Sequence, residues 1–163
     1  MSDTVALRDP AERVSSRAPL VWAAGALARG MVLAAVVLVL SAVAELFAMP
    51  AWGWAAYAVV AVGYAVVMPA YRYHVHRWET TERAVYTQTG WLSRERRIAP
   101  MSRVQTVDFE QGVVARLVGL ATVTVTTASA AGALRIEGLT VPVADQLVAD
   151  LTRRADLDTG DAT

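Results

Sequence analysis

The sequence predicts a membrane-embedded α-helical hairpin followed by an α+β, mainly β, domain, and three features carry that prediction. Two apolar runs, Gly30 to Ala48 and Ala51 to Ala70, are separated by little more than Met49-Pro50. Past Trp78 the hydrophobic period shortens to the alternation of strands, and from Val141 to Arg154 it returns to helical spacing. Each apolar run holds about twenty residues, the length an α-helix needs to cross a hydrocarbon layer of roughly 30 Å. Glu45 is the one formal charge inside either run. Two consecutive helices without a polar stripe could not be covered by a soluble domain of this size.

In chain order, residues 1–19 read as a mobile tail, because Met1 to Ser16 mix charges with small residues and show no apolar period. Residues 20–71 then hold a juxtamembrane segment and the two spans, about 30–48 and 51–70. Trp52 and Trp54 mark one boundary and Tyr71, Tyr73 and Trp78 the other, where amphipathic rings favour the headgroup layer, and Trp22 serves the same purpose ahead of the first span. Arg8, Arg13, Arg17 and Arg29 precede the first span, Arg72, Arg77 and Arg83 follow the second, and the Met49-Pro50 turn is uncharged. By the positive-inside rule both termini then face the cytoplasm. Arg29, the apolar stretch Met31 to Leu40 and the triplet Ala42-Val43-Ala44 also resemble a signal peptide with its cleavage site. The long arginine-bearing leader and the second span that follows at once favour an uncleaved anchor.

Residues 72–155 form the folded domain. Alternating segments run over Ala84 to Thr89, Trp91 to Ala99, Val104 to Gln111, Thr122 to Thr127 and Leu134 to Glu137, and Thr122-Val123-Thr124-Val125-Thr126 alternates strictly. This is an antiparallel sheet with one buried face. Gly90 marks the first hairpin and Pro100 ends the second strand. Val113 to Leu120, closed by Gly119, predicts one or two helical turns. In the last segment Ala144, Leu147, Val148 and Leu151 recur on one helical face, with Pro142 near the start and Arg153 and Arg154 at the end. Residues 156–163 are a second tail.

Composition narrows the function classes. The 15 basic and 15 acidic residues cancel, so no bulk attraction to nucleic acid is expected. Without cysteine, disulfides, thiolate catalysis and cysteine-bound metal are excluded.

Four stretches together carry a resemblance: Trp78-Glu79-Thr80-Thr81-Glu82-Arg83-Ala84-Val85-Tyr86, Thr89-Gly90-Trp91-Leu92, Arg96 to Asp108 and Arg116 to Val123. The most specific part is the run I-x-P-x-x-R-x-Q-x-V-D, followed by R-x-x-G-L-A. Over about residues 70 to 155 the chain resembles the bacterial pleckstrin-homology-like (PH-like) membrane proteins, often labelled YdbS-like, and the two spans match their usual arrangement. The resemblance implies a PH-like domain, an antiparallel partial barrel plugged by the C-terminal helix, on the cytoplasmic side of the bacterial inner membrane. It implies no particular chemistry.

Residue by residue, catalysis finds little support. His74 and His76 form an H-x-H pair that on a strand would share a face, yet no third ligand is near, so no metal site is expected. Asp108 and Glu110 would also share a strand face and read as a solvated surface rather than an acid/base pair. Ser93, Ser102 and Ser129 lack a G-x-S-x-G context, and no glycine loop cradles phosphate, so neither an enzyme nor a cofactor is expected. Glu45, near the outer end of its span, reads as interfacial. Arg94, Arg96 and Arg97 make the most cationic segment of the domain. They are the candidate lipid-binding residues, since guanidinium groups grip phosphates through paired hydrogen bonds. The alternative for them is an edge strand protected by charge.

The combined expectation is a non-enzymatic, membrane-anchored adaptor that binds a protein partner, a second copy or anionic inner-leaflet headgroups, with envelope maintenance as its setting. A second expectation is an accessory subunit of a membrane transport or export complex, in which the spans themselves make the contact.

Overall fold

The computed structural model describes residues 9–43, 49–129 and 132–160, with side chains through Ala155. Glu45 and the last residue of the Ala42-Val43-Ala44 triplet lie outside the described residues. In order the elements are β1 (Glu12–Arg13), α1 (Ala18–Val43), α2 (Ala51–Val75), β2 (Arg77–Thr80), β3 (Ala84–Gly90) and β4 (Arg94–Pro100). A 3-10 turn (Met101–Arg103) follows, then β5 (Val104–Glu110), α3 (Val113–Leu117), β6 (Leu120–Thr127), β7 (Leu134–Thr140) and α4 (Val141–Gly160).

Helices α1 and α2 pack as the predicted hairpin, but both outrun the spans read from hydropathy. α1 begins at Ala18, where Ser15 accepts the Arg17 amide at 3.3 Å and Pro19 occupies the first turn, a helix start that composition hides inside a polar leader. α2 continues through Pro69 to Val75. Within the protein only 6 % of the most apolar stretch of α1 is buried and 17 % of that of α2. A soluble core helix would be mostly buried, so these surfaces need an apolar solvent. The helices approach closely at Gly30, whose carbonyl accepts the Tyr57 hydroxyl and which lies against Ala61.

The domain consists of two antiparallel sheets, ordered β1-β2-β3-β4 and β5-β6-β7, which do not close into a full barrel. The threonine-valine alternation of β6 turns Val123 and Val125 inward, where Val85 and Ala99 of the first sheet, Leu134, Ile136 and Leu139 of β7 and the α4 stripe Ala144, Leu147 and Leu151 meet them. α4 therefore plugs the open sheets, as the period of its apolar residues predicts.

Two differences from the sequence reading matter for the site. First, residues 9–19 include more than a tail. Glu12 and Arg13 add an edge strand to β2, and Val14, Ala18 and Trp22 pack on Leu120. Ala18 approaches β7 so closely that a Cβ on Gly138, which has φ +76°, would stand 2.6 Å from the Ala18 Cβ. Only glycine satisfies both the backbone conformation and the contact. Second, Trp22 and Trp78 are not headgroup residues. Trp22 is buried between α1 and the domain, and Trp78 lies on β2 packed against both sheets. A ring that can bury its apolar body in a protein junction gains more there than at a bilayer surface.

Candidate functional site

The residues of interest fall on the β3–β4 hairpin, the end of α2 and the polar face of the second sheet. The hairpin turns at Gly90, where φ is +154° and an added Cβ would lie 2.0 Å from the Ser93 carbonyl oxygen. This turn carries Trp91 onto the helices. Its ring meets Tyr64 at 6.1 Å and Tyr71 at 5.4 Å, both edge to face, and it packs on Ala26, Ala65 and Met68. At the tip Leu92 is 91 % exposed.

Beyond the tip, strand alternation separates the three arginines. Arg94 and Arg96 share one face of β4, and Arg97 takes the other. Arg94 is exposed near the tip. Arg96 donates through Nε to Gln88 at 2.8 Å and pairs through Nη2 with Asp9 of the N-terminal segment. Arg97 donates to the Ala133 carbonyl at 2.7 Å and stands 3.5 Å from the Glu95 carboxylate. A groove of about 490 Å³ runs between β4 and β7 along the gap between the sheets, with Arg96, Arg97 and Arg103 on its wall. Arg96 and Arg97 therefore border one groove, while Arg94 stands apart near the tip.

The H-x-H pair is also divided. Because α2 runs on to Val75, His74 is helical and His76 is the residue that caps the helix, its amide bonded to the Arg72 carbonyl at 2.8 Å. No strand aligns them. His74 lies beside the Tyr73 ring, and His76 is buried at 2 % exposure against the Trp22 ring, 5.2 Å away. Burial, reinforced by the nearby Arg72 cation and only partly offset by Glu137, lowers the His76 pKa to about 4, so the ring is neutral at pH 7. Among the described residues neither ring nitrogen has a hydrogen-bond partner. Among the described residues no group of three or more His, Cys, Asp or Glu side chains is placed to hold a metal ion.

Around His76 stands a junction that no local pattern reveals. The Arg72 guanidinium lies 4.5 Å over the Trp22 ring and bonds Glu137 of β7 at 2.9 Å, and the Trp22 indole donates to the same carboxylate at 3.3 Å. It ties α1, α2 and β7 together with a cation–π contact and a charge-assisted hydrogen bond. The only sequence signal is Glu137, which with Arg135 makes two charges in the short strand β7.

On the second sheet Asp108 and Glu110 lie on one exposed face of β5, opposite Thr124 and Thr122 of β6. Glu110 pairs with Arg135 at 3.0 Å and Asp108 accepts the Thr106 hydroxyl at 3.4 Å. Each carboxylate is exposed and engaged by a neighbour on a solvated face, the bland arrangement that the sequence predicts.

Comparison with known proteins agrees with this architecture. The UPF0699 transmembrane protein YdbS of Bacillus subtilis (strain 168) is 36 % identical over 89 residues, 55 % of this chain and 55 % of its own length. The aligned region thus spans about half of that relative. No solved structure matches. A family model described as Bacterial PH domain matches residues 19–155, taking in both long helices, every strand from β2 onward and most of α4. The chain belongs to the bacterial PH domain family.

Proposed function

We propose that this protein is a non-enzymatic adaptor whose two spans hold a PH-like domain against the inner leaflet, where it recognises anionic lipid headgroups or a protein partner bound there. The observation that carries this reading is the seat of Trp91 against Tyr71, toward the domain end of α2, and against Tyr64, about two turns further from that end. Such a ring cluster suits the headgroup layer. The Arg29 guanidinium runs back along α1 to lie over Gly25, as a cation does when it leaves hydrocarbon for the same layer. Leu92 at the hairpin tip then dips toward lipid, and Arg94 stands within reach of phosphates. Arg96 and Arg97, held by Asp9, Gln88, Glu95 and Ala133, stay out of this surface contact and add positive potential behind it.

The arginine distribution supports a cytoplasmic domain, since the cations cluster where the helices meet the sheets and the Met49-Pro50 turn is uncharged. The relative that is called a transmembrane protein supports insertion of this hairpin.

The test is lipid selectivity of the full chain in bilayers, read by electron paramagnetic resonance from spin-labelled phosphatidylglycerol and phosphatidylcholine. The parent should favour the anionic label, and Arg94→Gln should reduce that preference by up to about fivefold, because a basic residue near an anionic leaflet contributes about 1 kcal/mol. Equal preference in parent and variant would remove Arg94 from the contact.

A further inference from the structure

Between the end of α2 and the facing strands β3, β4 and β7 lies a second, smaller cavity of about 180 Å³. The surface contact of Arg94 does not use it. Its lining is rich in residues that can donate: Arg72, Arg97 and Arg135, Thr87 and Thr89, and His76. Against the three arginines stand two carboxylates, Glu95 and Glu137, so the lining carries one excess positive charge.

His76 is the feature that the fold alone does not explain. Its ring is 2 % exposed with both nitrogens unpartnered, and a neutral imidazole must place one donor and one acceptor. An orphaned buried polar group loses its hydration without replacement, a cost that a chain serving only a structural purpose would avoid with an apolar ring. The cavity is also far larger than the roughly 10–15 Å³ that one water needs.

Both carboxylates are already engaged. Glu137 is bonded by Arg72 and Trp22, and Glu95 stands beside Arg97. A guanidinium has five donors, so Arg97 retains capacity beyond its bond to the Ala133 carbonyl. Arg135 pairs with Glu110 on an exposed surface, with a side chain 55 % exposed, and such a pair costs little to rearrange.

We propose that this cavity binds an oxyanion of the phosphate-ester class, gripped by Arg97 and Arg135 with the Thr89 hydroxyl and a ring nitrogen of His76. Two guanidinium forks supply the paired donors that phosphate geometry favours. The imidazole is neutral at pH 7, and its N–H, sealed in the ligand-free fold, donates once the ring turns toward the oxyanion. The phosphate belongs either to a free phosphate compound or to a lipid headgroup reaching down from the adjacent leaflet. This site is separate from the Arg94 contact, and each stands or falls alone.

The experiment observes the imidazole nitrogens of His74 and His76, the two histidines of the chain, by long-range 1H–15N NMR at pH 7.5. In one arm the full chain in nonionic detergent is titrated with inorganic phosphate against chloride of matched ionic strength. In the other, nanodiscs in phosphate-free buffer carry phosphatidic acid or phosphatidylcholine. A saturable shift of His76 with His74 unmoved is expected. Its appearance with inorganic phosphate identifies a free phosphate as sufficient, and its appearance with phosphatidic acid alone identifies the headgroup. Arg135→Gln and Thr89→Val should each weaken binding, the arginine change by about tenfold. Arg153→Gln, on the exposed face of α4 and outside the cavity lining, should leave it unchanged. Silence of His76 in both arms, or equal movement of both histidines, overturns the proposal, as does binding indifferent to Arg135→Gln in a variant that melts with the parent.

Discussion

Replacing His76 by phenylalanine should flatten the acid sensitivity of the domain, by an amount the structure sets. The folded ring titrates at about 4 instead of 6.5, so between those values the unfolded chain holds a proton that the folded one does not. Stability from this group is therefore complete above pH 6.5 and is lost as pH falls toward 4. The span of 6.5 minus about 4 corresponds, at about 1.4 kcal/mol per unit, to roughly 3 kcal/mol in full. About 2 kcal/mol of it lies between pH 7.5 and 5. The cause is local. Arg72 faces the ring and opposes a second cation, burial opposes any charge, and Glu137 is too committed to Arg72 to reverse the balance. Guanidinium unfolding of the full chain in nonionic detergent and phosphate-free buffer, at pH 7.5 and 5, measures the difference. The parent should lose about 2 kcal/mol more than His76→Phe on acidification, while His74→Phe should follow the parent. Parallel profiles for parent and His76→Phe would mean that the folded ring charges normally, and the described burial would be wrong.

Leu147→Asp places a carboxylate in the stripe of α4 that faces Val85, Val123 and Ile136, and should destabilise the domain by about 3–5 kcal/mol in the same unfolding assay. A variant with the parent's midpoint would show that α4 does not plug the sheets. In this cysteine-free chain, single cysteines at Ala51 and Glu82 should be reached from opposite sides of the membrane. An impermeant thiol reagent added outside intact cells should label Ala51→Cys only, and labelling of Glu82→Cys would reverse the orientation.

How much of this was legible depended on whether the determining contacts were local. The β6 alternation, the Gly90 turn and the α4 stripe each depend on residues near one another in sequence, and each is found where its pattern predicts, whereas both long helices outrun the apolar runs that predict them. β1 and β2 escaped because two and four residues are too short to show a period. β2 exists because β3 offers it an edge, and β1 because β2 offers the next one. The early start of α1 was masked by composition: Ser15 and Pro19 are helix-start signals, but the surrounding charges read as a tail. The H-x-H pair misled because it assumed a strand where α2 persists, and a two-residue step on a helix turns side chains about 200° apart. The Trp22, Arg72, His76 and Glu137 junction joins four positions from three distant segments, and no spacing rule in one chain links them. The arginines of β4 were rightly identified as cationic, but their division between Asp9, Ala133 and open solvent follows from sheet geometry that charge alone does not contain.

The central claim is that the β3–β4 tip rests at the bilayer surface while the opposite end of the same strand stands away from it. β3 separates the two ends by seven residues, roughly 20 Å. A fluorophore on Leu92→Cys and, separately, on Glu82→Cys, in bilayers carrying nitroxide on the lipid headgroup, compares their distances from that surface in the full chain. The account predicts strong quenching at position 92 and little at position 82; equal quenching at both, or stronger quenching at position 82, would contradict it.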